Sequence, residues 1–379
     1  MTSRPHVAIA CGGTGGHFYP GLAVAHKLRE RGCEVTLWIS VKAVDRRAAK
    51  AAGEFTVREL SAVALSPRAP VMFLRGLGGA LARVRREFNT RLPNAVLAMG
   101  GFTSAAPIFL GRLRGAATFL HESNSIPGRA NRLLAPWVDE VFVGFPEARH
   151  RLSTTSVTVT GTPVRPGFDL GHTRASREVL GLAPTRPTVL VMGGSQGARG
   201  LNRLTFGALA LLARMYPRLQ FLHLTGAADE ASARAAYQRH GLKCAVYAFL
   251  EDTAAAMAAA TVVVSRAGAS SLAELAVCRR PAILVPFPSA ADDHQRFNAR
   301  AMERAGAACW LDEAHSTPED LAAGIVKLTE NLDVRRCMQA ALAELDAPNA
   351  AATVATHIMR RLNNPASTRR PSGFSLAVS

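Results

Sequence analysis

Three glycine-rich turns in this sequence could bind phosphate groups. The first, Gly12-Gly-Thr-Gly-Gly-His17, contains one side chain, His17, that can take up a proton near neutral pH. The second is Gly193-Gly-Ser-Gln-Gly197, in which Ser195 can donate a hydrogen bond, and the third lies within residues 265–274. Glycine lets main-chain N–H groups approach a ligand, and a helix that starts there attracts anions. The sequence therefore predicts phosphate contacts at all three turns.

The third turn adds a cation and a carboxylate. Arg266 supplies a fixed positive charge, Gly268 permits a sharp turn, and Glu274 could accept hydrogen bonds from ribose hydroxyls. The spacing Ser271-x-x-Glu274 is also typical of a capping box, in which the carboxylate only satisfies the start of a helix. Spacing alone leaves both interpretations open.

Two further polar segments follow apolar runs. His121-Glu-Ser-Asn124 comes directly after residues 118–120, and Asn124 can both donate to and accept from sugar hydroxyls. We expect His121 to be a structural hydrogen-bonding residue, because it lies so close to the end of a strand. We expect Asp292-Asp-His-Gln295 to form a solvated loop rather than a metal site. No Asp-x-Asp pair, which often holds a divalent ion on a nucleotide-sugar diphosphate, occurs in the chain.

Two familiar nucleotide-binding motifs are excluded. A dinucleotide-binding dehydrogenase should carry an acidic residue at the end of its second strand. Here that segment reads Leu37-Trp-Ile-Ser-Val-Lys42, with no acidic residue before Asp45. A P-loop requires Gly-Lys followed by Ser or Thr, which neither of the first two turns contains.

The elements that must position these residues occur twice. Residues 6–11 and 188–192 are short apolar runs, and each leads through a glycine-rich turn into a helical pattern. Strand, glycine turn and helix open a Rossmann-like unit, so the sequence predicts two such units in the α/β class, each with a doubly wound parallel sheet. Other apolar runs without alternation fit buried parallel strands. They are residues 34–39, 95–99, 117–120, 140–143, 220–224, 245–247, 261–264 and 282–285.

The junction between the units should lie within residues 161–167, whose two prolines and two glycines break regular structure. We therefore predict an N-terminal unit over residues 1–163 and a C-terminal unit over residues 164–348. We expect a helix at about 349–363 to pack back on the N-terminal unit. Residues 364–379 contain few apolar side chains, and we expect a disordered tail there.

Composition limits the class of the protein and its partners. The chain has 379 residues and a formal net charge of +17, which favours anionic partners such as phosphates or an acidic membrane surface. Basic and aromatic residues are not interleaved as in nucleic-acid-binding proteins, so we predict no nucleic-acid partner. Six cysteines without C-x-x-C spacing fit free thiols better than disulfides or a zinc site. We see no signal peptide and no membrane-spanning run, and we expect a cytoplasmic protein, soluble or peripheral.

An amphipathic pattern covers residues 69–88. Five apolar side chains share one helical face, roughly opposite several arginines. They are Phe73, Leu77, Leu81, Val84 and Phe88. Such a stripe usually faces a core, but a basic amphipathic segment can also lie on anionic lipid, and the sequence does not decide between the two.

The order of these motifs resembles the MurG family of bacterial glycosyltransferases, from about residue 7 to about residue 360. The motifs are Gly13-Thr-Gly-Gly-His17 with Pro20, Met99-Gly-Gly-Phe102 with Ser104, His121-Glu-x-Asn124, Gly161-x-Pro-Val-Arg165, Gly193-Gly-Ser-Gln-Gly-Ala198, Arg266-x-Gly268 with Glu274, and Val285-Pro-Phe287 with His294-Gln295 and Asn298. Ser123 stands where the family usually has glutamine, and residues 288–291 diverge from its pattern.

The resemblance implies a GT-B architecture, in which two Rossmann-like units face a cleft that holds the active site. It also implies an inverting transfer of N-acetylglucosamine from UDP-N-acetylglucosamine (UDP-GlcNAc) to the muramoyl O4 hydroxyl of lipid I, an undecaprenyl-pyrophosphoryl acceptor, in peptidoglycan synthesis. His17 would be the general base. No metal or other cofactor would be required, because helix N-termini, Ser195 and arginines would neutralise the leaving diphosphate.

The family's binding roles carry over to individual positions of this sequence. The UDP-GlcNAc contacts would be Leu250 at the uracil, Glu274 at the ribose, and Ser195 with Arg266 at the diphosphate. The remaining donor positions would be Thr14, Gly15, Gly16, Asn124, Arg165, Ala269, Ser270, Ser271, Leu272, Ala273 and Gln295. The acceptor diphosphate would meet Gly13, Gly100, Gly101, Thr103 and Ser104.

The resemblance further implies a peripheral protein on the cytoplasmic face of the cell membrane, with cell-wall synthesis or division proteins as possible partners. An alternative on the same fold is another sugar-nucleotide enzyme, either a glycolipid glycosyltransferase or a UDP-GlcNAc epimerase. A nonenzymatic basic protein that binds membrane or nucleic acid would explain the charge but not the paired glycine turns.

Overall fold

A computed structural model describes residues 4–13, 15–61, 70–154, 156–194 and 197–364, with the backbone alone at residues 70–74. The tail expected to be disordered lies outside these ranges from residue 365 onward. Within them the chain forms two parallel sheets, each with helices on both faces.

The N-terminal unit is built on a seven-stranded sheet in the order β3-β2-β1-β4-β5-β6-β7. Every neighbouring pair in it is parallel. The strands are β1 (His6–Ala10), β2 (Glu34–Ser40), β3 (Thr56–Leu60), β4 (Ala95–Ala98), β5 (Ala117–Glu122), β6 (Glu140–Val143) and β7 (Val157–Val159).

The C-terminal unit repeats this plan with a six-stranded parallel sheet in the order β10-β9-β8-β11-β12-β13. Its strands are β8 (Thr188–Met192), β9 (Gln220–Leu224), β10 (Lys243–Tyr247), β11 (Val262–Ser265), β12 (Ala282–Leu284) and β13 (Cys309–Trp310). All residues of β1 and of β8 are buried, because helices cover both faces of each sheet.

Helices connect the strands and cover the two sheets. They are α1 (Gly15–Glu30), α2 (Ala43–Ala49), α3 (Pro70–Thr90), α4 (Ala105–Leu113), α5 (Arg129–Leu134), α6 (Thr173–Val179), α7 (Arg199–Met215), α8 (Glu230–Arg239), α9 (Thr253–Ala259), α10 (Ala269–Cys278), α11 (His294–Arg304), α12 (Pro318–Glu330), α13 (Leu332–Leu345) and α14 (Ala350–Asn363). None of the helices in the described ranges is long and apolar enough to cross a bilayer.

The strand order reverses at one point in each sheet, and that point determines where a ligand can bind. Connections run outward in one direction from β1 and from β8, then in the other direction from β4 and from β11. Open α/β sheets bind ligands in the crevice beside the carboxyl ends of such strands. The first glycine-rich turn directly follows β1, and the second follows β8. The predicted α/β class with two doubly wound sheets is confirmed.

The last helix returns to the N-terminal unit. Val354, Ala355 and Ile358 of α14 are fully buried in the same apolar core as β1 and α1. Arg31 at the end of α1 donates to the Thr356 hydroxyl at 3.2 Å, and His357 lies 2.9 Å from the Glu140 carboxylate. The chain therefore returns from the C-terminal core to the N-terminal core between α13 and α14.

Candidate active site

His17 lies in the first turn of α1, beside the cleft. Its side chain is half-buried and rests against glycines: a β-carbon added at Gly100 would lie 2.8 Å from Nε2, and one added at Gly13 would lie 3.3 Å from Nδ1. Burial lowers the pKa of His17, while the negative charges of Glu122 and Asp45 raise it. A histidine with a lowered pKa is neutral near pH 7 and can accept a proton.

The loop after β4 forms the floor beneath this histidine. Gly100 and Gly101 have φ of 116° and 75°, values that a residue with a side chain rarely adopts. The hydroxyls of Thr103 and Ser104 are buried and donate inward, to the carbonyls of Gly12 at 2.8 Å and of Gly100 at 3.0 Å. The Thr103 hydroxyl therefore braces the two glycine turns against each other, and the Ser104 hydroxyl closes its own loop.

The segment after β5 is organised by one carboxylate. Glu122 is buried and accepts from the main-chain N–H groups of Asn124 and Gly128, each at 2.8 Å, and from the amide groups of Asn124 and Asn131. His121 is fully buried and its Nε2 lies 3.0 Å from the Gly161 carbonyl, with burial lowering its pKa to about 4. This is the structural role expected for His121.

A fully buried amide joins the two units. Asn298 of α11 accepts from the main-chain N–H of Ser125 at 2.9 Å and from its hydroxyl at 3.0 Å. Its own amide donates to the Asn124 side chain and to the Ala267 carbonyl, each at 3.0 Å. The predicted sugar-binding residue Asn124 is thereby held by the opposite unit. Motif spacing gave Asn298 no role, because its partners in the other unit, Asn124 and Ser125, lie more than 170 residues away in the sequence.

Asp292 forms a second link across the cleft. Its carboxylate lies 2.8 Å from Arg129 and 2.5 Å from Arg132, both on α5. The hydrogen bond from Arg129 holds the pKa of Asp292 below its usual value. The loop expected to be solvated therefore carries a solvent-exposed ion pair between the units.

Glu274 occupies the second turn of α10 and is not part of a capping box. The helix begins at Ala269, and its cap residue Gly268 makes no side-chain hydrogen bond. Burial raises the pKa of Glu274 to about 7, with the positive charge of Arg165 acting in the opposite direction. A buried carboxylate facing an arginine in the cleft fits the ligand-binding interpretation of the sequence and not the capping one.

Arg165 lies between the units. Its guanidinium stacks 4.3 Å from the ring centroid of Tyr19 on α1 and donates to the hydroxyl of Thr253. The Ser270 hydroxyl, at the start of α10, donates to the Gly16 carbonyl at 3.0 Å. The first helical turns of α1 and α10 therefore meet at the predicted donor site.

Arg266 and Gln295 are held by their own unit. Arg266 is buried, donates to the carbonyls of Val285 and Pro286, and forms an ion pair with Glu313. The side-chain oxygen of Gln295 accepts from the main-chain N–H groups of Ala267 and Phe287, at 3.2 and 3.0 Å. The amide nitrogen of Gln295 has no hydrogen bond with the part of the chain that the structure describes.

The other predicted donor residues fall into two groups. Thr14 and Ser195 lie outside the described residues. The remaining ones line the starts of α1 and α10 or the loop after β10, and they are Gly15, Ser271, Leu272, Ala273 and Leu250. Leu272 is buried, and Leu250 packs partly against the C-terminal core. Within the described ranges, no three His, Cys, Asp or Glu side chains gather in a way that could hold a metal ion.

Comparison with known proteins connects this geometry to a family. Residues 7–143 match the glycosyltransferase family 28 N-terminal domain, and residues 188–354 match the glycosyltransferase family 28 C-terminal domain. A UDP-N-acetylglucosamine–N-acetylmuramyl-(pentapeptide) pyrophosphoryl-undecaprenol N-acetylglucosamine transferase of Anaeromyxobacter sp. (strain Fw109-5) is 36% identical over 372 residues, covering 96% of each chain. The crystal structure of Acinetobacter baumannii MurG is 27% identical with a TM-score of 0.73, covering 94% of this chain and 99% of that one. The chain belongs to the MurG family of glycosyltransferases.

Other enzymes share this architecture without sharing the sequence. A crystal structure of a UDP-N-acetylglucosamine 2-epimerase superposes with a TM-score of 0.69 at 13% identity, covering 98% of this chain and 100% of that one. Similarity at that level shows the fold alone. The predicted GT-B arrangement is therefore confirmed, and membership of the MurG family separates this chain from the epimerases.

Proposed function

We infer that this protein transfers N-acetylglucosamine from UDP-GlcNAc to the muramyl-(pentapeptide) pyrophosphoryl-undecaprenol acceptor, the step from lipid I to lipid II in peptidoglycan synthesis. Its relatives carry that name at 36% identity over nearly the whole chain. The geometry agrees, because α1, which carries His17, and α10, which carries Glu274, meet where the Ser270 hydroxyl donates to the Gly16 carbonyl at 3.0 Å.

His17 is the general base of the proposed mechanism. It removes the proton from the muramoyl O4 hydroxyl as that oxygen attacks the anomeric carbon of the donor from the face opposite UDP. The configuration inverts, and the bond to the diphosphate breaks through an oxocarbenium-like state. Support comes from its half-buried position on the glycine floor and its lowered pKa, which keeps the imidazole unprotonated.

The C-terminal unit holds the donor in this proposal. Glu274 accepts from the ribose hydroxyls, Arg165 contacts the donor beside it, and Gln295 with Asn124 binds the sugar hydroxyls. Gln295 supports this assignment, because only its side-chain oxygen is used in hydrogen bonds among the described residues. The Asn124 oxygen accepts from Asn298 and one N–H of its amide donates to Glu122, which leaves its second N–H for a ligand. The contacts of Ser195 and Thr14 with the donor remain sequence predictions.

The leaving diphosphate is neutralised by helix N-termini, and we propose that no metal is needed. Neither α7 nor α10 has a side chain capping its first turn, so their N–H groups can meet an anion. Such preorganised donors stabilise charge that develops in the transition state. Activity that persists at full rate in excess EDTA would support this, and activity restored only by Mg²⁺ would contradict it.

UDP release with and without lipid I is the deciding experiment for the function. A transferase of this type should release UDP quickly only when lipid I is present and should form a disaccharide-linked lipid. An epimerase would convert UDP-GlcNAc without any lipid, and a binding protein would release no UDP. A glycolipid glycosyltransferase would need a different acceptor.

The acceptor carries a lipid, so we propose that the N-terminal unit lies against the cytoplasmic face of the membrane. Four large apolar side chains of α4, α5 and the turn after it are 45–67% exposed: Phe109, Leu113, Leu133 and Trp137. The exposed Arg85 and Arg86 of α3 lie beside Phe109, which suits an anionic bilayer. The apolar stripe within residues 73–88 was the earlier candidate for a membrane contact. In the part of it whose side chains the structure describes, Val84 and Phe88 are buried in the core.

Vesicle co-sedimentation tests this surface. Leu113→Asp combined with Trp137→Asp should reduce binding to vesicles containing anionic lipid, while UDP release with a water-soluble acceptor stays intact. Val179→Asp is a matched control, because Val179 is 83% exposed on the C-terminal unit. Equal vesicle binding by the double variant and the control would contradict the assignment.

A further inference from the structure

A buried carboxylate next to the first glycine turn has no part in the mechanism described so far. Asp45, at the start of α2, is fully buried. One of its oxygens accepts from the main-chain N–H of Gly13 at 2.6 Å and from the N–H and hydroxyl of Ser40. The other oxygen has no hydrogen-bond partner among the described residues. Burying a charge without a cation is costly, so a role for it is expected.

A single glycine, Gly13, lies between the Asp45 carboxylate and the His17 imidazole. The N–H of Gly13 points to the carboxylate, and the α-carbon of Gly13 faces Nδ1 of His17 closely enough that a β-carbon there would be 3.3 Å away. Gly12 beside it has no room for a side chain, because an added β-carbon would lie 2.3 Å from the nitrogen of Ser40. The turn is therefore fixed against the end of β2, and Asp45 is the side chain that fastens it.

A second carboxylate lies on the opposite side of the imidazole. Nε2 of His17 faces Gly100, and an added β-carbon at Gly100 would be 3.5 Å from the amide nitrogen of Asn131. That amide donates to Glu122 at 2.7 Å. His17 therefore has a negative charge on its Nδ1 side, beyond Gly13, and another on its Nε2 side, beyond Gly100 and Asn131.

We propose that Asp45 is a positioning residue for the transfer reaction: it holds the Gly13 turn against His17 and stabilises the imidazolium that forms when His17 takes the acceptor proton. This rests on the proposed function, in which His17 is the base. The charged or titratable groups facing His17 are Glu122 and His121 of β5, Asp45 of α2 and His294 of α11. Of these groups the two carboxylates favour the protonated ring, and the main-chain carbonyl of Gly12 adds to their effect.

The test compares Asp45→Asn with a matched variant, Asp139→Asn. The carboxylate of Asp139 likewise accepts from the main-chain N–H and the hydroxyl of one residue, Thr118. Thr118 lies near the amino end of β5, whereas the Gly13 turn follows the carboxyl end of β1. Both variants lose one buried or half-buried carboxylate charge and keep the side-chain shape. The readouts are kcat against pH for UDP release with lipid I, and the pKa of His17 from an NMR titration of labelled histidine.

In Asp45→Asn, the acid limb of kcat and the NMR pKa of His17 should both move to lower pH by about one unit. kcat at its plateau should fall about tenfold, with KM for UDP-GlcNAc nearly unchanged, because the base is weaker while the donor site is intact. Asp139→Asn should show the wild-type acid limb and kcat. An unshifted acid limb and kcat in a folded Asp45→Asn protein would overturn the proposal.

If the Asp45→Asn protein does not fold, Asp45→Glu tests the positioning role of Asp45. It keeps the charge and displaces it by one methylene, so the pKa of His17 should stay near wild type while kcat falls through the displaced Gly13 turn. Wild-type kcat in Asp45→Glu would overturn the positioning role. Failure of the wild-type protein to release UDP with lipid I would instead contradict the proposed function, and the NMR titration would still report on Asp45 and His17.

Discussion

Binding of UDP-GlcNAc should be linked to the ionisation of Glu274. Burial raises the pKa of this carboxyl group to about 7, against the opposing charge of Arg165. Ribose hydroxyls donate to a carboxylate, so the donor should bind best to the ionised form. At pH 6 about nine-tenths of the free protein would carry the proton, and each binding event should release about 0.9 of a proton. The same linkage makes Kd about tenfold weaker at pH 6 than at pH 8.

Isothermal titration calorimetry without acceptor measures both quantities. UDP-GlcNAc is titrated at pH 6 and pH 8 in two buffers of different ionisation enthalpy, and the difference in heat gives the number of protons released. UDP-GlcNAc is preferable to UDP, because its diphosphate is a diester and does not itself titrate near pH 6. Glu274→Gln provides the baseline for histidines that titrate in the same range.

Glu274→Gln should lose the proton release and bind UDP-GlcNAc about 10- to 100-fold more weakly at pH 8, as expected for replacing a hydrogen bond to a charged acceptor. Its Kd should then change little between the two pH values. Equal proton release at pH 6 by the wild type and the variant would refute the reasoning. So would a wild-type Kd that is the same at pH 6 and pH 8.

Three further predictions concern catalysis and stability. His17→Ala should lower kcat about 100- to 10,000-fold while leaving the donor KM nearly unchanged, and steady-state UDP release checks this. Glu274→Gln should stabilise the free protein by about 3 kcal/mol at pH 8 and by nothing at pH 4. This is because a pKa raised from 4.5 to about 7 favours folding at low pH and loses that contribution as pH rises through 7. Gly161→Ala should cost about 2 kcal/mol or more in urea unfolding, because Gly161 has φ of 75° and an added β-carbon would lie 2.2 Å from that of Ala347. Gly181→Ala, with φ of 71° and open space, should cost less.

Most of the sheet framework could be predicted from the sequence, because central parallel strands are buried on both faces and read as continuous apolar runs. The three strands that were missed are all at or near sheet edges: β3, β7 and β13. β3 reads Thr-Val-Arg-Glu-Leu and is mostly not buried, and β13 has only two residues. Edge strands need little apolar sequence, since one side has no neighbour to pack against.

The site was predictable where chemistry depends on residue type and not where it depends on long-range contact. His17 and Glu274 could be identified from the glycine turns that precede them. The link from Asn298 to Asn124, and the stacking of Arg165 on Tyr19, join residues more than 140 positions apart, and no local spacing encodes them. Asp45 was visible only as an acidic residue too late in the sequence to serve a dehydrogenase.

The position of Asp45 bears on how the two units place their acidic side chains. In a dinucleotide-binding unit, the acidic residue at the end of the second strand binds the ribose. In the N-terminal unit the first acidic residue after β2 is Asp45 on α2, and its buried carboxylate accepts from the N–H of Gly13. In the C-terminal unit Asp229 stands at the same distance after β9, and its carboxylate accepts from the side-chain amide of Asn202 at 2.7 Å. Glu274, on α10, is a separate buried carboxylate near Arg165. In the proposed function Glu274 is therefore the carboxylate left for the ribose, because the acidic residue after the second strand of each unit accepts hydrogen bonds from the chain itself.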